Sequence, residues 1–192
     1  MNRTAMPQQA NPRFTIGWAD TPERVEACQR LRYRVFAEEM GAEVSGGSGV
    51  DSDRYDRWCR HLLVRDRRTG CIIACSRILD DTLAGRAGGF YSEAEFDLGP
   101  VRRLPGRIME LGRTCVAPEY RQGATIAALW AGLAGHIVET GYDYLIGCAS
   151  IPAADGGLAT EAIMARLRKR HLAQPGLRLL PRRPMPTLPT AH

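Results

Sequence analysis

The stretch that most constrains this chain is "ELGRTCVAPEYRQGATIAALW", from Glu110 to Trp130. Its first part reads as a strand stopped by Pro118, and its second as a helix with no Asp, Glu, Lys or Arg from Ala124 to Val138. Ile126, Leu129, Trp130, Leu133 and Ile137 recur at helical spacing. Thr125, Ala128, Gly132 and Gly135 form a second, small-residue face that lets another element approach. Such a helix is expected to be buried on most sides. Its N-terminus follows a strand and a turn, so free N–H groups and the helix dipole favour an anion there. Arg121 adds a fixed charge, and Gly123 admits close backbone approach. Arg121, Gln122, Gly123, Ala124 and Thr125 are thus the candidate anion clamp. An ordinary buried helix after a turn is the competing reading.

The flanking sequence fixes the fold class. "FTIGWADTPERVEACQRLRYRVFAEEMG" reads as strand, cap and helix: Thr21 caps, Pro22 suits the first helical position, and Gly41 ends the run. A Gly/Ser/Asp-rich loop follows. "CRHLLVRDRRTGCIIACSRIL" is a hairpin that turns at Thr69-Gly70. A short helix is expected between Phe90 and Leu98. A strand then runs to Pro118, a helix covers 122–140, "YDYLIGCASI" is a strand, and a helix covers 158–172. Hairpins mixed with strand-helix-strand units imply an α/β fold with a mixed sheet flanked by helices. The expected division is a flexible tail at 1–13, one domain at 14–176 and a Pro-rich tail at 177–192.

Composition narrows the function. The chain has 192 residues, ordinary for one domain. No stretch reaches the length of a membrane span, and the first fourteen residues lack the apolar core of a secretory signal. Cys28, Cys59, Cys71, Cys75, Cys115 and Cys148 form no CxxC pair and no zinc spacing, so reduced thiols in a cytoplasmic protein, and no metal, are expected. A net charge of +5 fits an acidic partner: a carrier protein, an anionic lipid surface or nucleic acid. Nucleic acid ranks last, because no basic run is interleaved with aromatics.

The strand-loop-helix join resembles motif A of the GNAT acyltransferase superfamily, whose usual form is Arg/Gln-x-x-Gly-x-Gly/Ala. In "RQGATI" the two small positions hold Ala124 and Ile126. Taken in order, "LRYRVFAEEMG", "GVDSDRYD", "CSRIL", "ELGRTCV…YRQGATIAALW" and "GCASIP" resemble the L-ornithine N-alpha-acyltransferases of bacterial ornithine-lipid synthesis. A more distant likeness, carried by Arg32, Phe36, Asp53, Asp56, Arg77, Glu110 and Arg113, is to acyl-homoserine-lactone synthases. The resemblance implies a GNAT-like fold and transfer of a 3-hydroxyacyl chain from acyl carrier protein to the α-amino group of L-ornithine. The donor would be the acyl-phosphopantetheine of the carrier, with no permanently bound cofactor. The inner-membrane surface is a further implied partner.

That chemistry assigns candidate roles. Glu110 is the candidate base, with a structural partner for a nearby arginine as the alternative. Strand alternation puts Glu110 and Gly112 on one face, and Leu111 and Arg113 on the other, unless a bulge intervenes. Asp51, Asp53 and Asp56 are candidates for holding the cationic acceptor, or for an ion network with Arg32, Arg77 and Arg113. Phe36, Met40, Trp58 and Met109 are candidate linings of an acyl pocket, each equally readable as core. His61 and His136 read as structural. Relatives of this kind continue further, so the last strands of the sheet are expected to be missing. "LRLL" is the one candidate for an added strand, and an open edge invites self-association. An inactive acyl-chain or carrier-binding domain is the non-enzymatic alternative.

Overall fold

The computed structural model describes residues 13–47, 49–151 and 157–184. Strand β1 (Phe14–Trp18) leads into helix α1 (Pro22–Tyr33), where the Thr21 hydroxyl accepts from the Arg24 N–H and Pro22 occupies the first turn. The helix does not end at Tyr33. It widens into a π-helical turn, Arg34–Glu39, and closes at Gly41 with φ +67°. The expected hairpin follows as β2 (Arg60–Asp66) and β3 (Ile72–Asp80), with Leu63 opposite Cys75 and His61 opposite Arg77.

Helix α2 (Asp81–Ala87) was not legible in the sequence. Asp80 caps it by accepting from the Leu83 N–H at 2.8 Å. A tight helical turn, Tyr91–Ala94, realises the helix expected between Phe90 and Leu98, and β4 (Phe96–Asp97) and the short α3 (Gly99–Arg102) come next. Strand β5 (Ile108–Val116) stops before Pro118, and α4 (Gly123–Thr140) fills the expected span. Strand β6 (Tyr144–Ile146) is shorter than its apolar run, α5 (Leu158–His171) matches expectation, and β7 (Leu180–Pro181) closes the described chain.

The main sheet runs β1-β2-β3-β5-β6, antiparallel throughout except for the parallel β5–β6 pair. It is the mixed sheet foreseen. On one face Leu62, Val64, Ile78 and Met109 pack with Leu129 and Leu133 of α4. On the other, Leu63, Cys75 and Cys115 pack with Cys28 and Leu31 of α1, and Leu79 joins Tyr55, Ala84 and Phe90. Burying both faces under helices is what sets the strand pattern.

Two expectations are corrected. Helix α4 is not buried on most sides: Leu129 and Leu133 face the sheet, but Ile126, Trp130 and Val138 are exposed. The helix seats through its small residues instead, since a Cβ on Gly132 would collide with Ile16 of β1. "LRLL" adds nothing to the main sheet. Its last leucine pairs with Asp97, and β4 and β7 form a separate two-stranded sheet. Among the described residues no helix is long and apolar enough to cross a membrane.

Candidate active site

The site is built where β5 and β6 part. They pair only from Ile108 to Glu110. Beyond that point Gly147 lies so close to the Leu111 carbonyl that a Cβ there would strike it, and β5 itself is bulged. On β3, Cys75 faces Cys115 and Arg77 faces Gly112, so Arg113 and Thr114 together oppose the single residue Ser76. Arg113 takes φ +50°, an uncommon conformation for a side-chain-bearing residue. Ser76 holds the bulge: its hydroxyl pairs with the Thr114 hydroxyl at 2.7 Å and donates to the Gly112 carbonyl at 3.4 Å. The simple alternation of the sequence reading therefore fails at Arg113, whose guanidinium joins the face that carries Glu110 and Arg77.

Between the parted strands lies a cleft of about 1300 Å³. Phe36 of the π-helical turn and Met40 just after it line the cleft, with Tyr91, Glu110, Arg113, Trp130 and Cys148. Of the four candidate acyl-pocket residues, Phe36 and Met40 thus border the cleft. Met109 does not: it is fully buried on the α4 face, because strand parity turns it away from Glu110. Trp58 packs against the cluster around Phe90 and lies under the guanidinium groups of Arg57 and Arg86.

Glu110 is 3% exposed yet lies on the cleft wall. One carboxylate oxygen accepts from the Tyr91 N–H at 2.6 Å, and the other from the Ser92 N–H at 2.7 Å and the Ser92 hydroxyl at 2.5 Å. No arginine pairs with it among the described residues. Neither Tyr91 nor Ser92 was legible as a site residue, because nothing local in sequence ties them to a strand some twenty positions away.

The candidate acceptor residues form one ion network. Arg32 binds Asp51 at 3.1 Å and Asp56 at 2.9 Å; Arg77 binds Asp53 at 2.7 Å; Arg113 stands 3.3 Å from Asp51 and 3.8 Å from Asp53. Burial alone would lower the Arg32 pKa, but the hydrogen bond and charges of Asp56 and Asp51 outweigh it and raise it. For Asp56, burial pushes the carboxyl up, and its bond to Arg32 brings it below the usual carboxylate range. Removing one partner from such a buried set leaves an uncompensated charge, at about 3–5 kcal/mol. Asp51 and Asp56 therefore anchor the arginines, of which Arg77 and Arg113 line the cleft, while Asp53, the least buried of the three, borders with Asp56 a separate pocket beside the start of α1. His61 is buried beneath them, with Nε2 3.3 Å from the Asp56 carbonyl oxygen. His136 meets Trp18 edge-on at 4.8 Å between centroids.

At the other end of the cleft, Gln122 is the N-cap of α4 and makes no side-chain cap bond. Gly123 and Ala124 are exposed there, while Thr125 is buried and its N–H returns to the Gln122 carbonyl at 3.1 Å. Arg121 is engaged by a residue the sequence reading did not single out: its guanidinium meets Glu39 through two bonds of 2.6 Å. That pair raises the Arg121 pKa and lowers the Glu39 pKa. One cleft thus offers a helix N-terminus with an arginine at one end and a buried, cradled carboxylate at the other. Chemically it suits an anionic group, an extended chain and a group that loses a proton.

Comparison with known proteins bears on the family and the fold. The family model described as Acetyltransferase (GNAT) domain matches residues 31–131. The chain is similar to the L-ornithine N(alpha)-acyltransferase of Rhizobium meliloti (strain 1021), at 42% identity over 144 residues, which are 70% of this chain and 49% of that protein. It is similar to the protein of the same name from Rhodobacter capsulatus, at 35% identity over 86% of this chain and 66% of that one. The chain spans between about half and just under two thirds of the length of these relatives. Among solved structures the AHL synthase LasI shares the fold, with a TM-score of 0.53 at 22% identity, covering 80% of this chain and 76% of that one.

Proposed function

The chain belongs to the GNAT acetyltransferase domain family, and from that premise we propose that it is an L-ornithine N-alpha-acyltransferase taking its acyl group from acyl carrier protein. The observation that carries this reading is the single cleft that joins the α4 N-terminus to Glu110. The likeness to the two ornithine acyltransferases supports the choice of acceptor.

In this reading the phosphate of the carrier's phosphopantetheine lies at Arg121 and the amides of Gly123 and Ala124, where dipole and charge favour it. The pantetheine arm follows the gap between β5 and β6, and the acyl chain lies against Phe36, Met40 and Trp130. The α-amino group of ornithine arrives as an ammonium and must lose a proton before it can attack. Glu110 takes that proton. Nitrogen then bonds to the thioester carbon, the carbon–sulfur bond breaks, and the thiol leaves with a proton, giving lyso-ornithine lipid. A basic surface on α5, where Arg168, Lys169 and Arg170 lie in the last turn, suits an acidic carrier protein or an anionic membrane surface.

The test is to incubate the purified protein with 3-hydroxyacyl carrier protein and a panel of amino acids, and to identify products by mass spectrometry. N-acyl ornithine is the expected product, and Glu110→Gln lowers turnover by about 10²–10⁴-fold with little change in donor binding. A lactone among the products would favour an autoinducer synthase instead. Carrier binding without turnover of any amine would mark a binding domain.

A further inference from the structure

Glu110 is held from behind by a chain of polar atoms that the proposed reaction does not itself require. The Cys148 thiol donates to the Ser92 hydroxyl oxygen at 3.2 Å, and that hydroxyl donates to Glu110 Oε1 at 2.5 Å. Ser92 is 3% exposed, whereas Cys148 lines the cleft and is exposed. The order of donors is fixed by chemistry. An ionised carboxylate only accepts, so the Ser92 proton must point at Glu110, and the Ser92 oxygen is left to accept from Cys148. Burial raises the Cys148 pKa, which keeps this thiol a donor near neutral pH.

We infer that Ser92 is a positioning residue for Glu110, which sets both the orientation and the proton affinity of that carboxylate, and that Cys148 orients the Ser92 hydroxyl in turn. The inference rests on the reading of Glu110 as the base. Three donors already stabilise the carboxylate, and a carboxylate with more donors is a weaker base. A base suited to an ammonium must be held ready but not quenched. The Tyr91 and Ser92 N–H groups belong to the backbone and are fixed. The Ser92 hydroxyl is the one free to rotate, and the Cys148 thiol, donating to its oxygen, helps to keep its proton on Glu110.

The other groups around the carboxylate are few. Cys59, before β2, and Cys148, after β6, both feel its charge, and Glu95 faces Cys148. Arg77 of β3 and Arg113 of β5 lie over the Tyr91 ring at 5.8 Å and 5.5 Å, so they hold the turn that carries Ser92 rather than the carboxylate itself.

The experiment compares wild type with Ser92→Ala, Ser92→Thr, Cys148→Ala and Cys148→Ser, following kcat and KM against pH. Ser92→Ala is expected to lower kcat by about 10- to 100-fold, the worth of one hydrogen bond to a charged group. The acid limb of its kcat profile moves to higher pH, while KM for the carrier stays within about twofold. Ser92→Thr restores the profile, and Cys148→Ser behaves as wild type where Cys148→Ala shifts the limb in the same direction as Ser92→Ala. An unmoved acid limb in a folded Ser92→Ala protein overturns the inference. Should Ser92→Ala fail to fold, the Cys148 pair decides, and an identical profile for Cys148→Ala and Cys148→Ser overturns it. A direct readout separates this from failure of the proposed function. In ¹³C-glutamate-labelled protein, the carboxyl signal lost in Glu110→Gln should titrate at higher pH in Ser92→Ala even without turnover. An unshifted signal again rejects the inference, and a wild type that acylates no amine rejects only the functional reading.

Discussion

At Asp56 two guanidinium groups and a buried histidine converge, and the pH response of the fold follows from them. Burial lowers the His61 pKa below its ordinary value, and the nearby arginines add to this against the pull of Asp56. The depressed folded value means that the neutral ring is the form the fold accepts. Its contribution is complete above the unfolded pKa of about 6.5 and is lost as pH falls towards the folded value. Thermal melts are therefore expected to drop as pH falls below about 6.5, with a limiting slope of about 1.4 kcal/mol per pH unit for one proton. His61→Asn, which cannot be protonated there, should flatten that slope; equal slopes in the two proteins would assign it elsewhere. Single residues were unevenly legible. The three arginines and three aspartates were named as one possible network, and the fold joins them. Met109 was misassigned because it lies on the far face of its strand, although its neighbour Glu110 lies on the near one. Glu39, Ser92 and Cys148 were not legible as site residues, because each acquires its meaning from a partner far along the chain: 82 positions for Glu39, 56 for Cys148 and 18 for Ser92 with Glu110.

Among the elements, the π-helical turn and the start of α4 form a pair. The turn carries Phe36 and Met40 into the cleft and brings Glu39 onto Arg121. A phosphate bound at the α4 N-terminus would compete with Glu39 for that arginine. Glu39→Gln is accordingly expected to lower KM for acyl carrier protein several-fold, whereas Arg121→Ala raises it by about tenfold, the lower end for a charge-assisted contact at a partly exposed site. Initial-rate measurements against carrier concentration check both. If Glu39→Gln raises KM, the pair orients Arg121 rather than restraining it. Elements with a strong period or punctuation were legible: α1 by its cap, the hairpin by its turn, and α4 by its uncharged run. Helix α2 was hidden because its seven residues include a glycine and adjoin a strand without a break. The π-helical turn was hidden because an apolar period does not distinguish it from one more turn of α-helix. Strand β6 was overestimated because its apolar run continues where its neighbour has already turned aside.

For the molecule as a whole, order is expected to fall away from the central sheet. Strands β2, β3 and β5 are covered on both faces, whereas no residue of α5 is buried. A fourteen-residue helix with no buried residue is marginal in water. Hydrogen exchange read by mass spectrometry should thus find α5 exchanging well ahead of α1 and α4; protection equal to that of α4 would mean that something else covers it. The fold class was readable in advance because strand-helix order dictates it, but the opening of the sheet was not, since it depends on one extra residue in β5. That residue acts as a single-letter insertion does in a reading frame. Upstream of Arg113 the even-numbered side chains face α1, as Glu110 does; downstream the odd-numbered ones do, as Cys115 does against Cys75. Deleting Arg113 would leave one unbroken alternation in which Cys115 still faces α1 and Val116 still faces α4, so that only the bulge, and the guanidinium it turns into the cleft, would be lost. The strand is in effect two messages spliced out of phase, and the cleft lies at the splice.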